Sequence, residues 1–148
     1  MASKLTLNAK NLEALGAARL AELLLELSNG NGAAKRQLRL ALAAGSSVEE
    51  AAQEVRKRLA SIARSGTYID WRKRKTLASD LQAQHRAITG PIAAADPAIA
   101  LDLLWRFLDL ADGVLARSSD GSGTLADPFR AALADLGPLA SAAGAEPL

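Results

Sequence analysis

The chain has 148 residues, no cysteine, and 18 basic against 16 acidic side chains, for a formal net charge of +2. A chain of this length buries roughly two thirds of its unfolded surface and can fold as one domain without disulfides, so we predict a single domain over residues 1–148. The lack of cysteine excludes disulfides and thiolate metal sites, and no apolar run approaches the roughly 20 residues of a membrane span. The N-terminus MASKLTLNAKN also lacks the apolar core of a signal peptide, so we expect a soluble, cytoplasmic protein that does not bind membranes.

Charge is distributed unevenly along the chain. Residues 35–86 carry twelve basic and five acidic side chains, whereas residues 96–148 carry three and eight. Two interpretations fit this asymmetry. Either the basic middle region binds an anionic partner, or the two regions attract each other within one domain.

The spacing of apolar residues predicts helices throughout the first half of the chain. Leu20, Leu23, Leu24 and Leu27 recur at helical spacing and should form the buried face of one such helix. Asn, Gly and Ser residues between the segments supply caps and left-handed turns. The predicted helices cover residues 9–15, 17–27, 32–44 and 48–65.

In the second half, Asp70 is the natural cap of a helix over residues 71–89, which Gly90 and Pro91 should end. The longest apolar segment follows, and Asp96 and Pro97 are typical of a helix start. This segment is apolar over most of its circumference, so we predict a central helix over residues 97–117 with neighbours on several sides. A last helix should begin at Asp127 and Pro128 and end at Gly137 and Pro138.

No segment alternates apolar and polar residues with the period of a strand for more than a few residues. We therefore predict an all-α fold of about seven helices, arranged as helical hairpins around the central helix 97–117. Two architectures fit this pattern, an orthogonal bundle and a short α-solenoid.

A basic stretch in the middle of the chain is the strongest candidate for a binding site. If Asp70 caps the helix, then four consecutive cations lie in its first turns, where the helix dipole disfavours them. One interpretation is a grip on nucleic-acid phosphates, with Trp71 or Tyr68 as a stacking surface for an unpaired base. The other, more common situation is a face that meets the acidic C-terminal third, with Trp71 in the core. The candidate contacts are Arg56, Lys57, Arg58, Trp71, Arg72, Lys73, Arg74 and Lys75.

Signals for other chemistries are weak. A helix-turn-helix after residue 45 would direct Glu49, Glu50 and Glu54 at DNA phosphates, which excludes that motif. The loop over residues 118–124, SSDGSGT, lacks the Gly-Lys-Ser/Thr of a P-loop and the glutamate of a calcium loop. His85 is the only histidine, and no second histidine or cysteine is available to form a catalytic dyad. We therefore expect no enzyme activity, no metal and no cofactor.

Two stretches, LTLNAKNLEALGAARLAELLLEL and DPAIALDLLWRFLDLADGVLARSSDGSGTL, resemble an uncharacterised bacterial family of mostly helical proteins. Relatives of that family include proteins that carry SWIM zinc fingers. The resemblance spans nearly the whole chain and lies in packing and turn residues, so it implies a helical-repeat scaffold rather than an active site. In the family the loop usually has paired aspartates, whereas here Ser119 precedes Asp120, which argues against metal binding in this loop.

Members of that family tend to be longer, which implies that this chain is the N-terminal part of a longer helical-repeat protein. Our first functional hypothesis is a helical module that binds an unidentified protein partner. The alternative is a nucleic-acid-binding module that uses the basic stretches 56–58 and 72–75.

Overall fold

The computed structural model describes residues 5–119, 121 and 123–144. In this part of the chain the only extended pairing is an isolated parallel bridge between Ile69 and Ser118, so the all-α prediction is confirmed. The helices are α1 (Ala9–Glu13), α2 (Ala17–Ser28), α3 (Gly32–Ser46), α4 (Val48–Arg64), α5 (Trp71–Ala87), α6 (Ala93–Ala95), α7 (Pro97–Asp109), α8 (Ala111–Ala116) and α9 (Ala126–Ala142). A π-helical segment, Ile88–Ile92, continues α5 into α6, and Leu110 between α7 and α8 keeps a helical backbone, so the described residues form seven helical runs.

No helix among these residues is both long and apolar enough to cross a membrane. Contacts within the chain group into two compact units, Met1–Arg36 and Gln37–Leu148. A single domain over residues 1–148 stays a prediction.

The first unit contains α1 and α2. Asn8 caps α1, since its Oδ1 accepts the backbone N–H of Asn11 at 2.8 Å. The predicted buried face of α2 is wrong, because Leu20 and Leu23 are only half-buried and Leu24 and Leu27 are 48% and 74% exposed. Within this unit α1 is too short to cover every side of α2, so part of the apolar surface of α2 faces solvent.

The second unit is a helical bundle built around α7. Leu103, Leu104 and Phe107 on this helix are fully buried. Helix α7 contacts α4, α6, the π-helical segment, α8 and α9, which confirms that its apolar circumference is packed on several sides. The ring of Phe107 lies 5.1 Å from that of Phe129 on α9, the separation of a favourable aromatic pair.

The predicted central helix over residues 97–117 is interrupted at Leu110. There the backbone N–H bonds to the carbonyl of Phe107, three residues earlier, at 3.1 Å. This tighter turn ends α7 and starts α8. Helix α8 then brings Arg117 to the start of α5, where its carbonyl accepts the N–H of Ile69 at 2.8 Å.

Two predicted helix ends are wrong because packing overrides local sequence. Pro91 lacks a backbone N–H, and the chain accommodates it by widening one turn into the π-helical segment rather than by stopping. Ile88 and Ile92 are fully buried there, so continuing the helix adds apolar contacts. Helix α9 likewise runs through Pro138 and places Leu139, which is buried, in the core.

Candidate nucleic-acid interface

The start of α5 is fixed by its cap and by the residue before it. As predicted, Asp70 is the N-cap: its Oδ1 accepts the backbone N–H groups of Arg72 and Lys73, both at 3.0 Å. Ile69 is buried and bridges to Ser118. The first turn of α5 is therefore held in place against the chain that follows α8.

Two aromatic side chains at this point are exposed. Trp71 is 70% exposed and Tyr68 is 58% exposed, so the expectation that Trp71 belongs to the core is wrong. The Tyr68 hydroxyl and the Ser119 hydroxyl are 3.1 Å apart and share a hydrogen bond. Only the neighbouring Ile69 turns inward, because the extended chain between α4 and α5 alternates its side chains.

The four cations of the first turns, from Arg72 to Lys75, form no ion pair with any carboxylate of the described residues. The expected pairing with the acidic C-terminal third is therefore not found among the described residues, and Asp120 and Glu146 lie outside them. The Arg72 guanidinium carbon lies 5.2 Å from the centre of the Trp71 ring, within the range of a cation–π contact. The Nε of Arg74 is buried and has no hydrogen-bond partner. An unpaired buried donor costs about 1–3 kcal/mol.

These side chains surround an open cleft of about 500 Å³. Its lining comes from α5, through Trp71, Arg72, Arg74 and Lys75, and from the loop before α9, through Thr124. Sequence reasoning did not include Thr124, because no spacing rule connects it to residues about fifty positions earlier. Lys73 is exposed on the same helix but does not line the cleft.

The cations of α4 are placed differently and do not line this cleft. Arg58 donates from Nε to Asp80 Oδ2 at 2.5 Å, and Asp80 Oδ1 accepts from Gln84 Nε2 at 3.3 Å. Because the Asp80 side chain is only 3% exposed, this ion pair joins α4 to α5 inside the second unit. Lys57 lies 3.9 Å from Glu54, and Arg56 is half-buried. The basic residues that lie close together in the sequence thus fall into two groups. Arg58 forms a structural ion pair, whereas the cations at the start of α5 face solvent.

The single histidine links two helices. His85 Nε2 lies 2.6 Å from Asp135 Oδ2, and the His85 ring stacks on Phe107 at 5.9 Å between ring centres. In the described part of the chain, no group of three or more His, Cys, Asp or Glu residues is arranged to hold a metal ion.

A second cleft, of about 370 Å³, lies between α4 and the α7–α8 turn, and Arg117 forms part of its lining. The Arg117 guanidinium donates to the carbonyls of Ile62 and Thr67 at 3.2 and 3.3 Å. These bonds satisfy carbonyls at and beyond the end of α4. Arg117 is therefore explained by the fold without a ligand.

The sequence model of a family of unknown function, DUF6880, matches residues 2–148. The chain belongs to the DUF6880 family. The match confirms that its relatives form an uncharacterised family. Comparisons of this DUF6880 chain with curated proteins and with solved structures find no match. Functional inference for this DUF6880 member therefore depends on its own side chains, and the cleft at the start of α5 is its most distinctive surface.

Proposed function

We propose that this DUF6880 chain is a nucleic-acid-binding module that holds phosphates with the cations at the start of α5. One observation carries the proposal: four consecutive cations have no carboxylate partner in the described residues, and three of them share a cleft with an exposed tryptophan. The proposed module acts by binding alone, without catalysis and without a cofactor.

The unpaired state of these cations matters for the energetics. A lysine or arginine that neutralises a phosphate releases a condensed counterion, whereas a cation already paired within the protein contributes little. Four phosphate contacts predict a slope of about −3 for log K against log salt with a single strand. Affinity should then fall roughly 50-fold between about 50 and about 200 mM salt.

Fluorescence anisotropy with labelled single- and double-stranded DNA and RNA at these two salt concentrations tests the proposal. The variant R72A/K73A/R74A/K75A should lose binding. The matched control R19A/R106A/R130A removes three cations that already pair with Glu22, Asp102 and Asp127 on the protein surface, and should bind as the unchanged protein does. Far-UV circular dichroism of each variant verifies that the helices are intact.

Two results would contradict the proposal. One is the absence of binding at about 50 mM salt, where even nonspecific electrostatic binding is strong. The other is equal weakening in the four-residue variant and in the control variant, which would mean that total charge matters and the cleft does not.

A second candidate function is supported by a different surface. Leu24, Leu25 and Leu27 on α2 are 48%, 70% and 74% exposed, an arrangement that suits a helical module binding a protein partner. In this second proposal the chain is a helical-repeat scaffold of a bacterial, cytoplasmic protein. It would be related to proteins that carry SWIM zinc fingers. Replacing these three leucines by serine should abolish binding to the protein partner and leave nucleic-acid binding unchanged.

A further inference from the structure

We infer that the cleft at the start of α5 selects single-stranded nucleic acid, with an unpaired base stacked on Trp71 and the adjoining phosphates on Arg74 and Lys75. This inference rests on the proposed function and names the ligand class of the same site. It depends on three features of the cleft: the exposure of the Trp71 ring, the carboxylate of Asp70 at the N-terminus of α5, and the size of the opening.

The indole ring of Trp71 is exposed and has a cation beside it. Trp71 is 70% exposed, and the Arg72 guanidinium carbon lies 5.2 Å from the ring centre. An exposed ring supported by a cation is a stacking platform, because every base offers a π face and base–aromatic stacking tolerates any sequence. Bases inside a duplex already stack on their neighbours and cannot reach such a platform without being flipped out.

The backbone at the start of α5 is not available to a phosphate. The N–H groups of Arg72 and Lys73 both donate to the carboxylate of Asp70, which occupies the usual anion position at a helix N-terminus. A phosphate beside Asp70 would also meet a like charge. The phosphates should therefore lie about one turn further along the helix.

Arg74 and Lys75 meet that requirement. Both line the cleft, and neither forms an ion pair with a carboxylate of the described residues. Phosphate oxygens are the acceptors that guanidinium groups bind most strongly. A ligand that stacks on Trp71 and bridges to these two side chains uses the exposed ring and two of the three cations that line the cleft.

The size of the opening agrees with one nucleotide unit rather than a duplex. A volume of about 500 Å³ is in the range of sites that enclose small organic ligands. Thr124 on the opposing loop closes one side of the cleft. Bases stacked within a duplex would stay out of reach of Trp71.

Fluorescence of Trp71 tests this directly in a W105F background, which removes the second tryptophan at a half-exposed position. The probes are an oligothymidine of about twelve nucleotides, an abasic strand of equal length and charge, and a duplex of equal length. The oligothymidine should quench Trp71 and bind about 10-fold more tightly than the abasic strand, as expected for one stacked base. The variants W71A and W71F leave no tryptophan in this background, so their binding is measured by fluorescence anisotropy of labelled strands. In that assay W71A should remove the difference in affinity, and W71F should retain part of it.

Alternative outcomes separate this inference from the proposed function. If all probes bind equally, or if W71A binds the oligothymidine as well as the unchanged protein does, the base-stacking inference is overturned while salt-dependent binding still supports the proposed function. If no probe binds at low salt, the proposed function fails as well. Loss of binding in R74A/K75A for both strands, with W71A affecting only the oligothymidine, is the result that supports both.

Discussion

Replacing Arg58 by methionine should destabilise this protein more than replacing Asp80 by asparagine, although both changes break the same ion pair. The Asp80 side chain is 3% exposed, whereas the Arg58 side chain is 22% exposed. Removing Arg58 takes the guanidinium away from a carboxylate that is almost wholly buried, although the carboxylate keeps its other contacts. Removing the charge of Asp80 leaves a long cationic side chain that can extend to solvent.

The magnitudes follow from this difference in exposure. Removing one partner of a buried pair costs about 3–5 kcal/mol, and R58M should fall at the lower end, about 3 kcal/mol, because Asp80 keeps the Gln84 amide and a further contact. The asparagine side chain of the D80N variant would keep an oxygen for the Gln84 amide, so this variant should lose about 1–2 kcal/mol. In the R58M background the carboxylate has already lost its Arg58 partner, so the same D80N change should cost less there than in the unchanged protein.

Equilibrium unfolding in urea, followed by far-UV circular dichroism, measures the four stabilities of this cycle. The control is R19M, which removes an exposed pair with Glu22 and should change the free energy of unfolding by less than about 1 kcal/mol. The reasoning is refuted if D80N destabilises the R58M variant as much as it destabilises the unchanged protein. That result would mean that the carboxylate is solvated and that the pair contributes like a surface ion pair.

Three further predictions test the core, the helix ends and the candidate site. Leu103→Ala in the fully buried part of α7 should lower the free energy of unfolding by about 2–5 kcal/mol. Leu133→Ala on α9, at a 58% exposed position, should lower it by less than about 1 kcal/mol. Similar shifts in thermal midpoint for the two variants would contradict the packing around α7. Gly45→Ala near the end of α3 should stabilise by about 0.4–1 kcal/mol because the added Cβ meets open space, whereas Gly30→Ala should destabilise because φ there is +74°. Denaturant midpoints in the reverse order would exclude this explanation. Asp70→Asn should change the free energy of unfolding by less than about 1 kcal/mol, since asparagine also caps well. The same change should tighten oligonucleotide binding, because it removes a negative charge beside four cations. Weaker binding in the anisotropy assay would argue against phosphates on this helix.

Local signals in the sequence predicted the helices well wherever a helix is defined by its nearest neighbours. Asn8, Ser47, Asp70 and Asp96 all act as N-caps, with side-chain oxygens accepting N–H groups two or three residues ahead. Such bonds form within a single turn and need no other part of the chain. The same holds for the apolar circumference of α7, which implied several neighbours without naming them.

Long-range contacts determined the rest. Nothing in the local sequence indicates that the chain passes through Pro91 and Pro138, since both continuations are stabilised by side chains buried against other helices. The charge pattern allowed the basic middle region to pair with the acidic end, yet Arg58 pairs with Asp80 and the cations of α5 stay unpaired among the described residues.

By itself, then, the sequence determined the helical class, the caps and the centre of the bundle, because periodicity and capping act over about four residues. Only the tertiary structure decided that Trp71 faces solvent and that Thr124 joins the cations of α5 in one cleft. Exposure and convergence depend on which distant segments pack together. The packing of distant segments is determined by the burial of the whole core, and it produces no periodic pattern in the sequence at the residues that form the site.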